Sequence, residues 1–303
     1  MLRSSILFVI SWLTLAGACA TLAETGKTLL TPKSLSELHG YLLNNKPDLD
    51  QFRLRGPFAV AMQINHEIRL SSTARINTDL YLSAHAEKAP LVIILHGYAN
   101  SKEAHAYQAM HLASWGMHSL ILQLPNKGPW VNNGKTLTRI VNAIYRRPEI
   151  IDRRIDVKRI ILAGHSFGGA SVAIALAERV PAAGGILLDP AVVIKDFPNV
   201  LRKINTPVML LGADEQISSA RNRGYFYRYI RSGIAEVSIK GATHEDAQFP
   251  SHLALATEEL QITFVSALTS AALSLSSTGN FEYAWSSFGD VLKSGRFVNA
   301  KKK

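Results

Sequence analysis

From Phe58 onward the apolar positions change their spacing in a regular way. Phe58–Leu70 and Ile76–Ser83 alternate apolar and polar residues, the period of half-buried strands, with a Ser71-Ser72-Thr73 turn between them. Leu91–Leu95 is instead a continuous apolar run, as expected of a strand covered on both faces. His118–Leu124, Arg159–Ala163, Gly185–Leu188, Val208–Leu211 and Ala235–Ile239 repeat that character. Between them, Ala104–Trp115, Leu137–Tyr145 and the alanine-rich Ser166–Arg179 read as helices. Strand alternating with helix predicts an α/β domain with a parallel sheet joined by right-handed crossovers. Leu253–Ser276 is long and apolar, but Glu258, Glu259 and many Ser and Thr interrupt it. That favours a helix packed on the sheet over a membrane span. Phe281–Val298 reads as a cap on the fold, without chemistry.

The N-terminus has a different layout. Met1–Ser5 carries Arg3 and no acid, Ile6–Leu15 is apolar, and Ala18-Cys19-Ala20 places small residues before a cleavage point. This is the pattern of an export signal over 1–20, with a mature chain from Thr21 in the periplasm or outside the cell. Two alternatives stand beside it: lipidation of Cys19, for which the usual leucine three residues earlier is missing, and an uncleaved anchor. Thr21–Asp50 is mixed and polar, with one short helix expected around Leu35–Leu43. One domain is expected over 21–300, with no internal repeat.

Composition narrows the partners. With 47% hydrophobic and 18% charged residues the chain has material for a core, which excludes whole-chain disorder. The net charge of +10 comes from positives scattered singly or in pairs, apart from Lys301–Lys303. A solvated basic surface is expected; a nucleic-acid partner is not. Cys19 is the sole cysteine, so no intrachain disulfide can form. No ligand spacing such as H-E-x-x-H occurs, so neither metal nor cofactor is implied. A monomer is expected.

The candidate chemistry lies at strand ends. Gly164-His-Ser-Phe-Gly-Gly169 follows a predicted strand and opens a predicted helix. A strand–turn–helix bend of this kind presents Ser166 as a nucleophile, and small residues at 164 and 168 avoid collisions. A serine needs a base, and only His244 and His252 lie late enough in the chain. His244, just after the strand Ala235–Ile239, is the candidate; His252 falls in the next helix. The acid is ambiguous: Asp189 ends one apolar strand, while Asp214, with Glu215 beside it, follows another. Asp189 is preferred, because a carboxylate at the end of a buried strand needs a partner. Backbone N–H groups of Phe167 and Tyr98 are the candidate oxyanion donors. His96 is read as structural.

These motifs, with His96-Gly97-Tyr98 and Gly241-Ala-Thr-His244, resemble the α/β-hydrolase family over roughly Phe58 to His252. Within it they look like two groups. In the cutinase and polyester-hydrolase group the acid position corresponds to Asp214. In the platelet-activating-factor acetylhydrolase and chlorophyllase group it corresponds to Asp189. The resemblance implies a mostly parallel central sheet, helices on both faces and a serine hydrolase acting on esters. The short stretch from Pro190 to Val208 leaves no room for a large cap domain, so an open groove is expected. Tyr98, Phe167 and Trp130 are candidates to line it; for Trp130 a core position is an equal reading. Lipid, polymeric or bulky small-molecule esters are the expected substrates. Amide, thioester or peptide hydrolysis with the same residues is the alternative, as is a non-catalytic binding protein.

Overall fold

The computed structural model describes residues 37, 49–84, 88–125, 127–214, 223–251, 256–278, 281–286 and 292–303. The expected export segment, the helix expected near 35–43 apart from Glu37, and the candidates Glu215 and His252 lie outside the described residues. The strands are β1 (Val60–Arg69), β2 (Arg75–Ser83), β3 (Ala89–Leu95), β4 (His118–Gln123), β5 (Ile155–His165), β6 (Gly184–Leu188), β7 (Val208–Ala213), β8 (Ile234–Ile239) and β9 (Phe297–Lys302). They form one sheet in the order β1-β2-β4-β3-β5-β6-β7-β8-β9. The strands from β4 to β8 run parallel; β1, β2 and β9 supply antiparallel pairs at the two edges.

The chain leaves β3 to one side, through β4, and returns to the other side with β5. The order therefore reverses between β3 and β5, and their carboxyl ends frame the crevice where open α/β sheets bind ligands. Both faces of the sheet are covered. One carries α1 (Ala106–Ser114) and α6 (Glu258–Thr278), whose Leu112, Phe264, Leu268 and Ala272 pack on Val92, Ile94 and Ile161. The other carries α2 (Trp130–Arg146), α3 (Phe167–Ala177), α4 (Phe197–Leu201) and α5 (Gly224–Tyr229) over Leu91, Ile93 and Leu162. A final short helix, α7, spans Phe281–Ser286. Helix α6 is long and apolar enough to cross a membrane, but it is packed here in the core, its Ser and Thr side chains largely buried with it.

Three elements differ from the sequence reading. Helix α2 begins at Trp130, not Leu137, although Asn132-Asn133-Gly134 looks like a turn. Gly134 is there for close packing: a Cβ would stand 2.6 Å from the Ile174 side chain on α3. The helix expected from Ala104 is a 3-10 turn at Lys102–His105 leading into α1. A ninth strand, β9, forms where only a cap was expected. Its Lys301 and Lys302 hid it, since an edge strand rich in lysine lacks the apolar alternation of a half-buried one.

The loop after β3 is tied down by a buried ion pair. Lys102 Nζ lies 2.6 Å from Asp79 Oδ2, both side chains almost wholly buried, and 2.8 Å from Glu103. Removing Asp79 takes from Lys102 its buried partner and leaves it the largely exposed Glu103 carboxylate. Asp79→Ala is therefore expected to lower stability by about 3 kcal/mol, the low end for breaking a buried pair, read as unfolding midpoints in urea. A loss below about 1 kcal/mol would show that water reaches Lys102 and the pair is not buried in solution.

Candidate active site

Strand β5 ends in a bend with little alternative geometry. Ser166 has φ 54° and ψ −122°, a region that side chains normally avoid. The surroundings enforce it. A Cβ at Gly164 would come within 2.6 Å of the Gly168 backbone, and one at Gly168 within 2.4 Å of the Leu95 and His96 carbonyls. Larger residues at either place would push α3 away from the ends of β3 and β5. Ser166 N–H donates to the Leu188 carbonyl at 3.0 Å, locking the bend to β6. Asp189, the residue that follows β6, also has a positive φ, of 39°. Two strained side chains thus stand on adjacent strand ends.

His244 arrives from β8. Gly241, at φ +75°, turns the chain after Ile239, and Asp214 clamps that turn: its carboxylate accepts the Gly241 N–H at 3.1 Å and its N–H donates to the Ala242 carbonyl at 3.0 Å. Buried Asp246 then accepts the Thr243 N–H, the Thr243 hydroxyl and the Thr257 N–H at 2.7–2.9 Å. The His244 loop is held from both ends before its ring meets anything.

The carboxylate that meets the ring is that of Asp189. Asp189 Oδ2 lies 2.5 Å from His244 Nδ1. Asp189 is wholly buried. Burial pushes its carboxyl up, but the His244 bond and the charge of Arg223 outweigh that and hold it below the usual carboxylate value. Its Oδ1 accepts the Ala213 N–H at 3.0 Å and a bond from Arg223 Nη1. Among the described residues, nothing is hydrogen-bonded to the Ser166 hydroxyl or to Nε2 of His244.

Two histidines brace the site. His165 donates Nε2–H to the His244 carbonyl at 3.0 Å, with the two rings 4.5 Å apart, so the residue before Ser166 carries the loop of His244. Burial pushes His165 well down, which keeps it neutral, and neighbouring His244 and His105 reinforce this. His96 is also buried and shifted down by burial. A neutral ring donates once. Nδ1 lies 2.8 Å from the Gly97 carbonyl, and Nε2 lies 3.0 Å from the Leu124 carbonyl and 3.3 Å from the Gln123 amide. With the proton on Nδ1 the ring donates to Gly97 and accepts from Gln123, whose amide also donates to the Leu124 carbonyl at 3.1 Å. His96 thereby holds the planar peptide that carries the Tyr98 N–H. The Tyr98 ring is 55% exposed and meets Phe167 edge-on at 5.8 Å. Trp130 is buried and supports Phe167 from behind, also at 5.8 Å.

Sequence reasoning missed His165 and Arg223. The first sits inside the motif it had singled out. The second has no local signal, being one of several arginines in a polar stretch.

Burial of imidazoles has a consequence for stability. His105 and His111 are pushed down to about 4, in each case by burial. Unfolded, they would bind a proton near pH 6.5. Their stabilisation is thus fully present above pH 6.5 and is lost as pH falls towards 4, by about 3 kcal/mol for each ring. Urea midpoints measured from pH 7.5 to 4.5 are expected to fall steeply below 6.5. Constant midpoints across that range would mean that neither ring stays buried and neutral.

A sheet of this order, with a strained serine at the topological switch and a carboxylate–imidazole pair beside it, can be compared with known proteins. A sequence profile described as the alpha/beta hydrolase family matches residues 92–289. The chain is similar to Cutinase 1 of Thermobifida cellulosilytica, 24% identical over 204 residues, covering 65% of this chain and 76% of that protein. It is equally similar to Cutinase of Thermobifida fusca (strain YX), 24% identical over 204 residues, covering 65% of this chain and 66% of that one. With the profile spanning β3 to the segment after α7, the architecture and the match agree: the chain belongs to the alpha/beta hydrolase family.

Proposed function

We propose that the chain is an exported serine carboxylic-ester hydrolase, with one catalytic domain over 21–300 that works as a monomer. Ser166 is the nucleophile, His244 the base and Asp189 the acid. The observation that carries this is the 2.5 Å bond between His244 Nδ1 and Asp189 Oδ2, formed one strand away from the strained Ser166. A proton fixed on Nδ1 leaves Nε2 with a lone pair to receive the Ser166 proton. In enzymes without substrate the hydrogen bond between nucleophile and base is often long and tightens on binding.

The steps follow from these positions. His244 Nε2 takes the proton as the Ser166 oxygen attacks the ester carbonyl carbon. The carbonyl oxygen becomes an oxyanion, stabilised by the N–H groups of Tyr98 and Phe167; loss of one such donor costs about 3 kcal/mol of transition-state stabilisation. Phe167 opens α3, so the positive end of the helix dipole acts on the same oxygen. Asp189 remains ionised and stabilises the imidazolium. The intermediate collapses, His244 passes its proton to the alcohol oxygen, and the alcohol leaves an acyl-enzyme. Water, deprotonated by the same nitrogen, hydrolyses it and frees Ser166.

The names of the similar proteins favour esters. The exposed Tyr98 ring, and a β6–β7 connection whose only helix is the five-residue α4, favour an open groove that accepts lipid, polymeric or bulky esters. A panel of p-nitrophenyl esters from acetate to laurate, run beside p-nitroanilides, tests the reading. Faster ester turnover, absent from Ser166→Ala, is expected. Equal rates for the two proteins would sink it, and faster anilide turnover would make the chain an amidase. A mature N-terminus at Thr21, read by mass spectrometry of exported protein, tests the localisation.

A further inference from the structure

A buried guanidinium lies behind the carboxylate of the site, and the steps above do not use it. Arg223, just before α5, is 1% exposed. Its Nη1 bonds Asp189 Oδ1, its Nε donates to Glu236 Oε1 at 3.0 Å, and its Nη2 donates to Ser238 Oγ at 2.8 Å. Glu236 is itself wholly buried, and Lys301 on β9 stands 3.2 Å from its other oxygen. The space for the guanidinium is made by Gly212 on β7, where a Cβ would come within 2.3 Å of Arg223 Cζ. A buried cation is costly unless its partners are placed to hold it. Here three strands and the chain before α5 converge to do so.

We propose that Arg223 is a positioning residue for the hydrolysis: it pins Asp189 Oδ1 so that Oδ2 can only face His244. The inference rests on the serine-hydrolase reading. A carboxylate with one free oxygen can rotate about its last bond. With Oδ1 shared by Arg223 and the Ala213 N–H, rotation would break two bonds in a dry site. The base then inherits a fixed ring plane.

Charge acts in the same direction. Asp189 faces His244 and Arg223; Arg223 faces Asp189 and Glu236; Glu236 faces Lys301; His244 also packs on the neutral His165. Removing the guanidinium takes one positive charge away from Asp189, so its negative field acts more strongly on the imidazole. His244 then holds its proton more tightly, and Asp189 is protonated more readily. Each effect moves loss of the active form to higher pH.

The test uses the whole chain and p-nitrophenyl butyrate, with kcat and KM followed against pH and folding checked by circular dichroism. Arg223→Met is expected to lower kcat on the order of 100-fold with little change in KM. It should also raise the acidic limb of the profile by about one pH unit. Arg223→Lys keeps the charge but loses the fork, so its limb should stay in place while kcat is partly reduced. Arg223→Met leaves Glu236 facing a lost partner; adding Glu236→Gln removes that charge, and the double variant should still show the raised limb.

Folded methionine variants with wild-type kcat and limb would overturn the proposal. If they do not fold, Arg223→Lys decides alone: reduced kcat with an unmoved limb supports it, and unchanged kcat overturns it. A wild-type chain without ester turnover or fluorophosphonate labelling would overturn the hydrolase reading and this inference together. An active wild type indifferent to Arg223 would overturn only the inference.

Discussion

Replacing Ser166 with alanine is expected to lower kcat by at least about 10,000-fold, the scale of losing a nucleophile that acts as a unit with its base. The fold should survive, since the hydroxyl makes no hydrogen bond to any described residue and Ser166 is held by backbone bonds to Leu188, Ala170 and Ala191. A companion variant separates chemistry from strain. Ser166→Gly should be equally inactive, yet more stable than Ser166→Ala by roughly 1–2 kcal/mol, because glycine alone adopts this φ and ψ without penalty. Thermal unfolding of the two proteins checks it. Equal midpoints would mean that the bend is relaxed in solution. Residual turnover within about tenfold of wild type would remove Ser166 from the chemistry.

The second large effect is at Asp189, and the network dictates its mechanism. Oδ1 accepts from both Arg223 and the Ala213 N–H, so in Asp189→Asn the amide oxygen must take that place. The NH2 group is then turned towards His244 Nδ1. A donor there forces the imidazole to carry its proton on Nε2, where it can no longer accept one from Ser166. Loss of kcat by about 10,000-fold is expected, with the fold intact. Asp214→Asn is the contrast. That side chain clamps the Gly241 turn and does not bond His244, so turnover should stay within about tenfold of wild type. A pH profile and kcat for both variants check the pair. The reverse ranking would move the acid role to Asp214.

How much of this was legible in the sequence depended on the distance over which each feature is specified. The elbow is local: strand, turn and helix occupy the consecutive residues 155–177 around Ser166, and the glycines at 164 and 168 are demanded by contacts that any such bend makes. The buried strands were legible because continuous apolar runs have no other comfortable place. The choice between Asp189 and Asp214 was not settled, because each ends a parallel strand and which of them meets His244 depends on how the β8 loop is clamped. Arg223 left no trace, since its burial is created by Gly212 on β7 and by Glu236 on β8. Strand β9 was missed for the opposite reason, its lysines answering to solvent and to the buried Glu236 at once.

The central claim is that one serine hydroxyl, at a bend the chain would otherwise avoid, is unmasked by the imidazole folded beside it. Incubation with a fluorophosphonate followed by tryptic mass spectrometry tests it most directly. The account predicts a single stoichiometric adduct on the peptide carrying Ser166, formed quickly by the wild-type chain and lost when His244 is replaced by alanine. An unmodified peptide, or an adduct on another residue, would contradict it.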